Sequence, residues 1–227
     1  MPSEKKIKSK ETDSSPGDWE NIRLLTEKDL EDLLSDKNKM DLELERKMSE
    51  LKKGQTVLVI VQPENYAESR MGLIRRFAGK KKMDGVFVTV NKPYRKITEE
   101  AENEKIDITK MRFIDLISKT TDSVEEGDGG TGSKVDFLES TGDLTELVMA
   151  CEKRIGEISG DKFFVLDSVS ALLVYNESDA VEKFIHTMIN KISREKAQGI
   201  LLIIESREFE GAIQTLSQFC DKVVKIL

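Results

Sequence analysis

Residues 57–69, VLVIVQPENYAES, place the first candidate side chains for chemistry. An apolar run enters a short turn, and a helix follows from about Tyr66. Such a strand–turn–helix cradles phosphate when the turn reads Gly-x-x-x-x-Gly-Lys-Ser/Thr. The glycines let backbone amides wrap the oxygens, and the lysine reaches the terminal phosphates. In that register the chain offers Gln62, Ala67, Glu68 and Ser69. Both glycines are absent, and a carboxylate stands where the ammonium belongs. Replacing an attracting charge by a repelling one costs on the order of several kcal/mol at intermediate dielectric. Of the pattern's side chains, only the hydroxyl survives, as Ser69.

Other chemistry is thin. Residues 127–134, GDGGTGSK, nearly spell the same motif, but serine and lysine are in the wrong order. Ser140, Thr141 and Gly142 delay any helix, and Glu125, Glu126 and Asp128 repel phosphate. A flexible linker explains this stretch better. His186 is the single histidine. It lies in a helical pattern beside Phe184 and Ile185, with no Cys or acidic partner at metal-ligand spacing. Cys151 and Cys220 sit among apolar neighbours and read as small core residues.

The elements that would position these residues alternate. The continuous β-branched run at 57–61 reads as a strand buried on both faces, and 86–90, 112–117, 163–166, 199–204 and 222–227 read as further strands. Amphipathic helices fall between them at 66–78, 97–104, 143–158, 179–196 and 212–219. The pattern predicts an α/β chain, a three-layer αβα sandwich with a mainly parallel sheet. Ligands in such sheets bind at the carboxyl ends of the strands. That edge gathers residues 62–69, 91–93, 167–168 and 205–207.

Residues 1–18 read as a disordered tail, 19–53 as an N-terminal helical segment, 54–227 as the main domain, and 118–134 as a mobile loop within it. In the helical segment Leu30, Leu33, Leu34, Met40, Leu44, Met48 and Leu51 recur at three- and four-residue steps. They suit a coiled-coil seam, which Lys37 and Asp41 weaken, or packing on the chain's own domain. The net charge of −7 over 227 residues argues against a nucleic-acid binder. The polar N-terminus and the shortness of every apolar run predict a cytoplasmic chain with reduced thiols and no membrane span.

Five segments together resemble the RecA-like P-loop ATPases, and within them the KaiC-like family common in archaea, over about residues 51–227. LKKGQ (51–55) is similar to the lead-in to the first strand, and GVFVTVNKPY (85–94) to the second strand. KFFVLDSVSALL (162–173) resembles the Walker B segment and is the most specific match. GILLIIES (199–206) resembles the sensor strand, and CDKVVKIL (220–227) the strand after it.

The resemblance implies a RecA-like fold, with Asp167 at the Walker B position that helps hold Mg²⁺. It places Ser69 at the Mg²⁺-ligating hydroxyl and Glu68 at the phosphate-binding lysine. The family's catalytic glutamate follows the second strand, where this chain has Asn91, Lys92 and Pro93. The further strands on which the family carries basic residues do not follow Leu227. The expectation is a domain with no catalytic residues and no cofactor, whose ATPase is lost. Its expected role is regulatory, in signal transduction. Its expected partners are further copies of itself, an active KaiC/RecA-like ATPase or a signalling protein, with no nucleic acid and no membrane. The alternative is an ATP/Mg-binding enzyme with a divergent loop, in which Ser69, Lys92 and Asp167 hold the nucleotide and Asp167 with Ser69 the metal.

Overall fold

In a computed structural model of the chain, residues 35–119 and 133–226 are described. Every element below belongs to the compact unit Asp36–Leu227. Seven strands form one all-parallel sheet: β1 (Thr56–Val61), β2 (Asp84–Thr89), β3 (Met111–Asp115), β4 (Val135–Phe137), β5 (Lys162–Asp167), β6 (Gln198–Ile204) and β7 (Lys222–Ile226). Their order is β4-β3-β2-β5-β6-β1-β7. β1 is paired on both sides, Val59 lying opposite Leu202 of β6 and Val224 of β7. The described residues hold seven helices: α1 (Asp36–Met48), α2 (Tyr66–Ile74), α3 (Tyr94–Asn103), α4 (Leu144–Gly156), α5 (Val169–Tyr175), α6 (Ser178–Arg194) and α7 (Glu210–Phe219).

Alternation along each strand builds the three layers. Val57, Val59, Val61, Phe87, Phe113 and Phe163 face one core with α1, α2 and α3. Leu58, Ile60, Val86, Val88, Phe164 and Leu166 face the other with α4, α5, α6 and α7. A strand with both faces covered tolerates no polar alternation, which is why β1 reads TVLVIV. The predicted αβα sandwich is therefore present, and its sheet is parallel throughout.

Four details depart from the sequence pattern. The helix expected to reach residue 53 ends at Met48, and Gly54 turns the chain into β1 with φ +79°. The helix expected at 66–78 passes after Ile74 into a π-helical turn, Arg75–Lys80. β4 and α5 occupy residues to which no element was assigned. The tail 1–18, residues 19–34 of the helical segment, and most of the loop, with residues 127–132 of GDGGTGSK, lie outside the described residues.

α1 packs on its own domain. Met40, Leu44 and Met48 are buried in the first core. Asp41, the residue that weakened a coiled-coil seam, accepts a bond from Arg75 Nε at 2.8 Å. Arg76 pairs with Glu45 and donates to the Met48 carbonyl at 3.1 Å. Among the described residues no helix is long and apolar enough to cross a membrane.

Two substitutions test this packing. A Cβ at Gly85 would fall 2.2 Å from the Phe163 ring, which is itself stacked on Phe77 with centroids 5.2 Å apart. Gly85→Ala is expected to lower the urea midpoint by an amount equivalent to about 1–3 kcal/mol. Arg75→Met leaves Glu68 without its cation, and Asp41 and Glu104 with only the more exposed Lys80 and Lys37. It is expected to cost about 3–5 kcal/mol by the same measurement.

Candidate functional site

The carboxyl ends of β1, β2 and β5 converge on Asp167, whose side chain is fully buried. One oxygen, Oδ1, accepts the hydroxyl proton of Tyr66. The other, Oδ2, is buried and has no partner. Tyr66 is the first residue of α2, so the strand-to-helix turn itself delivers the phenol to the end of β5. Asn91, just beyond β2, donates to the Tyr66 oxygen at 3.1 Å and to Ser168 Oγ at 3.2 Å. Ser168 Oγ in turn accepts from the Ala171 amide and caps α5.

One helical turn beyond Tyr66, Arg70 is buried, with its guanidinium 5.8 Å from the Tyr66 ring centroid. Its Nη2 donates to Glu100 at 2.9 Å, while its Nε is buried without a partner. Lys92 also spends its ammonium on Glu100. The site is thus a closed set of two cations, two carboxylates, a phenol and an amide.

The electrostatics follow from burial. Removal from water pushes the Asp167 carboxyl from 3.8 up to about 6, against the pull of the Arg70 charge, the Tyr66 hydrogen bond and the Lys92 charge. Burial, and then the Asp167 charge, push the Tyr66 phenol well above its ordinary value. At neutral pH the pair is a carboxylate accepting from a neutral phenol.

The other sequence-predicted residues go elsewhere. Residues 62–65 form the turn, with Pro63–Asn65 in a single 3-10 turn, and no residue from 62 to 69 has a positive φ. The backbone therefore makes no loop wide enough to wrap an anion. Ser69 is fully buried and its hydroxyl meets Met40 Sδ at 3.4 Å. The expected Asp167–Ser69 metal pair is corrected accordingly: the hydroxyl lies in the seam between α2 and α1, while the carboxylate is taken by Tyr66. Glu68 pairs with Arg75, Gln62 donates to Glu205, and Ala67 is exposed. Lys92, expected to reach phosphate, is held by Glu100.

Tyr66, Glu100 and Ser168 carry the site beside Asp167, and no chemical motif marks them. The sequence signal for Tyr66 is its place four residues before Arg70, which puts both side chains on one helix face. A second buried carboxylate on the same edge, Asp115, shows the contrast. It is saturated by the amides of Tyr94, Ile117 and Ser118 at 2.7–2.8 Å and by the Ser118 hydroxyl.

Residues 54–226 match the model of a family described as a family of unknown function (DUF7504), and the chain belongs to that family. No curated protein matches it. Among solved structures, the chain is similar to the uncharacterized protein PH0321 from Pyrococcus horikoshii, crystallised in complex with an unknown peptide. The TM-score is 0.60 at 13% identity, covering 81% of this chain and 82% of that one. At that identity the likeness shows a shared fold, and the fold is compatible with a RecA-like domain.

The raised carboxyl fixes the sign of a pH test. Between about pH 4 and pH 6 folded Asp167 keeps a proton that the unfolded chain releases. The stability this contributes is present below pH 4 and lost as the pH rises through 6. Asp167→Asn cannot ionise. Its stability relative to the native chain is expected to rise by about 2–3 kcal/mol across that window and then level off, in urea midpoints taken at successive pH values.

Proposed function

We propose that this DUF7504 member is a RecA/KaiC-like domain of archaeal type that has lost ATPase activity. In this reading it acts in the cytoplasm as a regulatory or protein-interaction component in signal transduction. Its partners are further copies of itself, an active KaiC/RecA-like ATPase or a signalling protein. The observation that carries the proposal is the Tyr66–Asp167 bond. A side chain of the domain itself occupies the carboxylate that a Mg–nucleotide would need. Two further features support it. Glu68 is drawn to Arg75 and brings no cation to the strand edge, and Lys92 is neutralised by Glu100. No carboxylate follows β2 at residues 91–93 to orient a water. A strand edge without a glycine cradle or a carboxylate at residues 91–93 keeps a fold and a surface, and surfaces serve binding.

The second reading, a nucleotide-binding ATPase with a divergent phosphate loop, draws on the unpartnered Asp167 Oδ2. It requires Tyr66 to swing away and Lys92 to leave Glu100. Calorimetric titration with ATP·Mg²⁺ separates the two. The inert domain is expected to give no saturable heat that depends on Asp167, so that the native chain and Asp167→Ala titrate alike. Micromolar binding that disappears in Asp167→Ala would establish the ATPase reading instead.

A further inference from the structure

The opposite edge of the sheet has a different character. Beneath the N-terminal ends of β2 and β3, a cavity of about 400 Å³ opens between the turn Arg75–Lys80 and the α3–β3 connection. That volume lies within the range of small-molecule sites. Ala78, Gly79 and Ile106 give it an apolar wall, and Lys80, Lys82, Lys105 and Lys110 surround that wall with ammonium groups. We infer that this cavity binds a small phosphorylated molecule, its phosphoryl dianion held by Lys82 and Lys105 and its organic body lying on Ile106.

The charges are the first argument. Among the described residues Lys82 and Lys105 have no ion pair, and Lys110 reaches Asp84 only at 3.6 Å. Lys80 shares Asp41 with Arg75. The one acid lining the cavity, Asp107, is already engaged by the amide and hydroxyl of Thr109, at 2.9 and 2.6 Å. A concave wall with unmatched charge of one sign concentrates counter-ions there, even on a chain of net charge −7.

The second argument concerns what else the lysines could be doing. Two helical segments end at this cavity, and their terminal carbonyls attract cations. Those carbonyls are already occupied. Arg76 and Phe77 accept from the amides of Lys81 and Met83, and Glu100, Ala101 and Glu102 accept from those of Glu104, Ile106 and Lys105. The lysine side chains are not needed for capping. Lys82 and Lys105 both sit in the left-handed region, with φ of 51° and 56°, at turn positions where glycine fits with less strain.

The third argument sets the size of the ligand. A larger cavity along the same edge, of about 880 Å³, shares Lys110 and sets three acids, Asp84, Asp136 and Glu157, against its cations. Arg154 there is held by Asp136 and Glu157, and Arg112 lies near Asp84 and Glu157. The smaller cavity has a single acid against four lysines and Arg75, and its volume of about 400 Å³ suits a compact anion better than an extended polynucleotide.

The test is calorimetric titration of the whole chain with inorganic pyrophosphate at low salt. Saturable binding is expected. The double variant Lys82→Gln/Lys105→Gln is expected to weaken it about tenfold or more, with an unchanged urea midpoint. Lys183→Gln, on a distant helix, is expected to leave it unaltered. Asp167→Ala is also expected to leave it unaltered, so the outcome is independent of the question at the other edge. Absence of heat with the native chain would overturn the inference, as would native-like binding by the double variant. Tighter binding of a single-stranded oligonucleotide than of pyrophosphate would overturn it in favour of an extended polyanion surface.

Discussion

Asp41 after the start of α1, Glu68 in α2 and Glu104 at the end of α3 all meet the guanidinium of Arg75. The group is nearly buried, and each of its nitrogens donates to a different helical segment. Burial alone lowers the guanidinium's pKa, and the bonds to Asp41, Glu68 and Glu104 outweigh that effect and raise it. With the cation in place, three helices can close over one face of the sheet and cover Val57, Val59 and Val61. Without it, Glu68 would have no cation and Asp41 and Glu104 only the more exposed Lys80 and Lys37, and a carboxylate that loses its buried partner is a costly defect. The seating of α1, the shape of the turn after β1 and the direction of Glu68 all follow from this one junction.

The two edges of the sheet have solved their electrostatics differently. Around Asp167 the cations at the carboxyl edge are turned inward, Arg70 and Lys92 onto Glu100, and Lys225 pairs with Glu205. The Tyr66 phenol fills the remaining demand of Asp167 on one side only. At the amino edge, backbone amides finish the helix ends, and lysine side chains are left to face solvent. In a parallel sheet the carboxyl edge is where ligands usually gather. Here that edge is self-complementary, and the unmatched charge lies at the other end of the same strands.

The fold was legible because burial on both faces forces a distinctive composition. Runs such as VLVIV and ILLII have few other uses, and the helices between them repeat at the expected spacing. β4 escaped because three residues are too few to show a period, and α5 because it follows β5 with only Ser168 between. The strand ends and the helix that carry Ser69, Glu68 and Asp167 were legible, and the directions of their side chains were not: Ser69 points into a seam whose other wall is Met40, 29 residues earlier. Lys92 and Glu68 find their partners, Glu100 and Arg75, only eight and seven residues further on, in pairs that no chemical motif marks. Tyr66 was hidden for another reason: a phenol is not a group that phosphate chemistry asks for, so nothing in a motif search looks at it.

The pairing of Glu68 with Arg75 also makes this architecture hard to reverse. In the family that the chain resembles, position 68 carries a lysine. A lysine there would now stand beside a buried guanidinium and remove one of the three carboxylates that neutralise it. The domain would lose stability before it gained any hold on a phosphate, and the turn would still lack its glycines. Glu68 is thereby part of the core's scaffolding, and exchanging it for a cation would act on the junction before it acted on any ligand, a ratchet made from one ion pair.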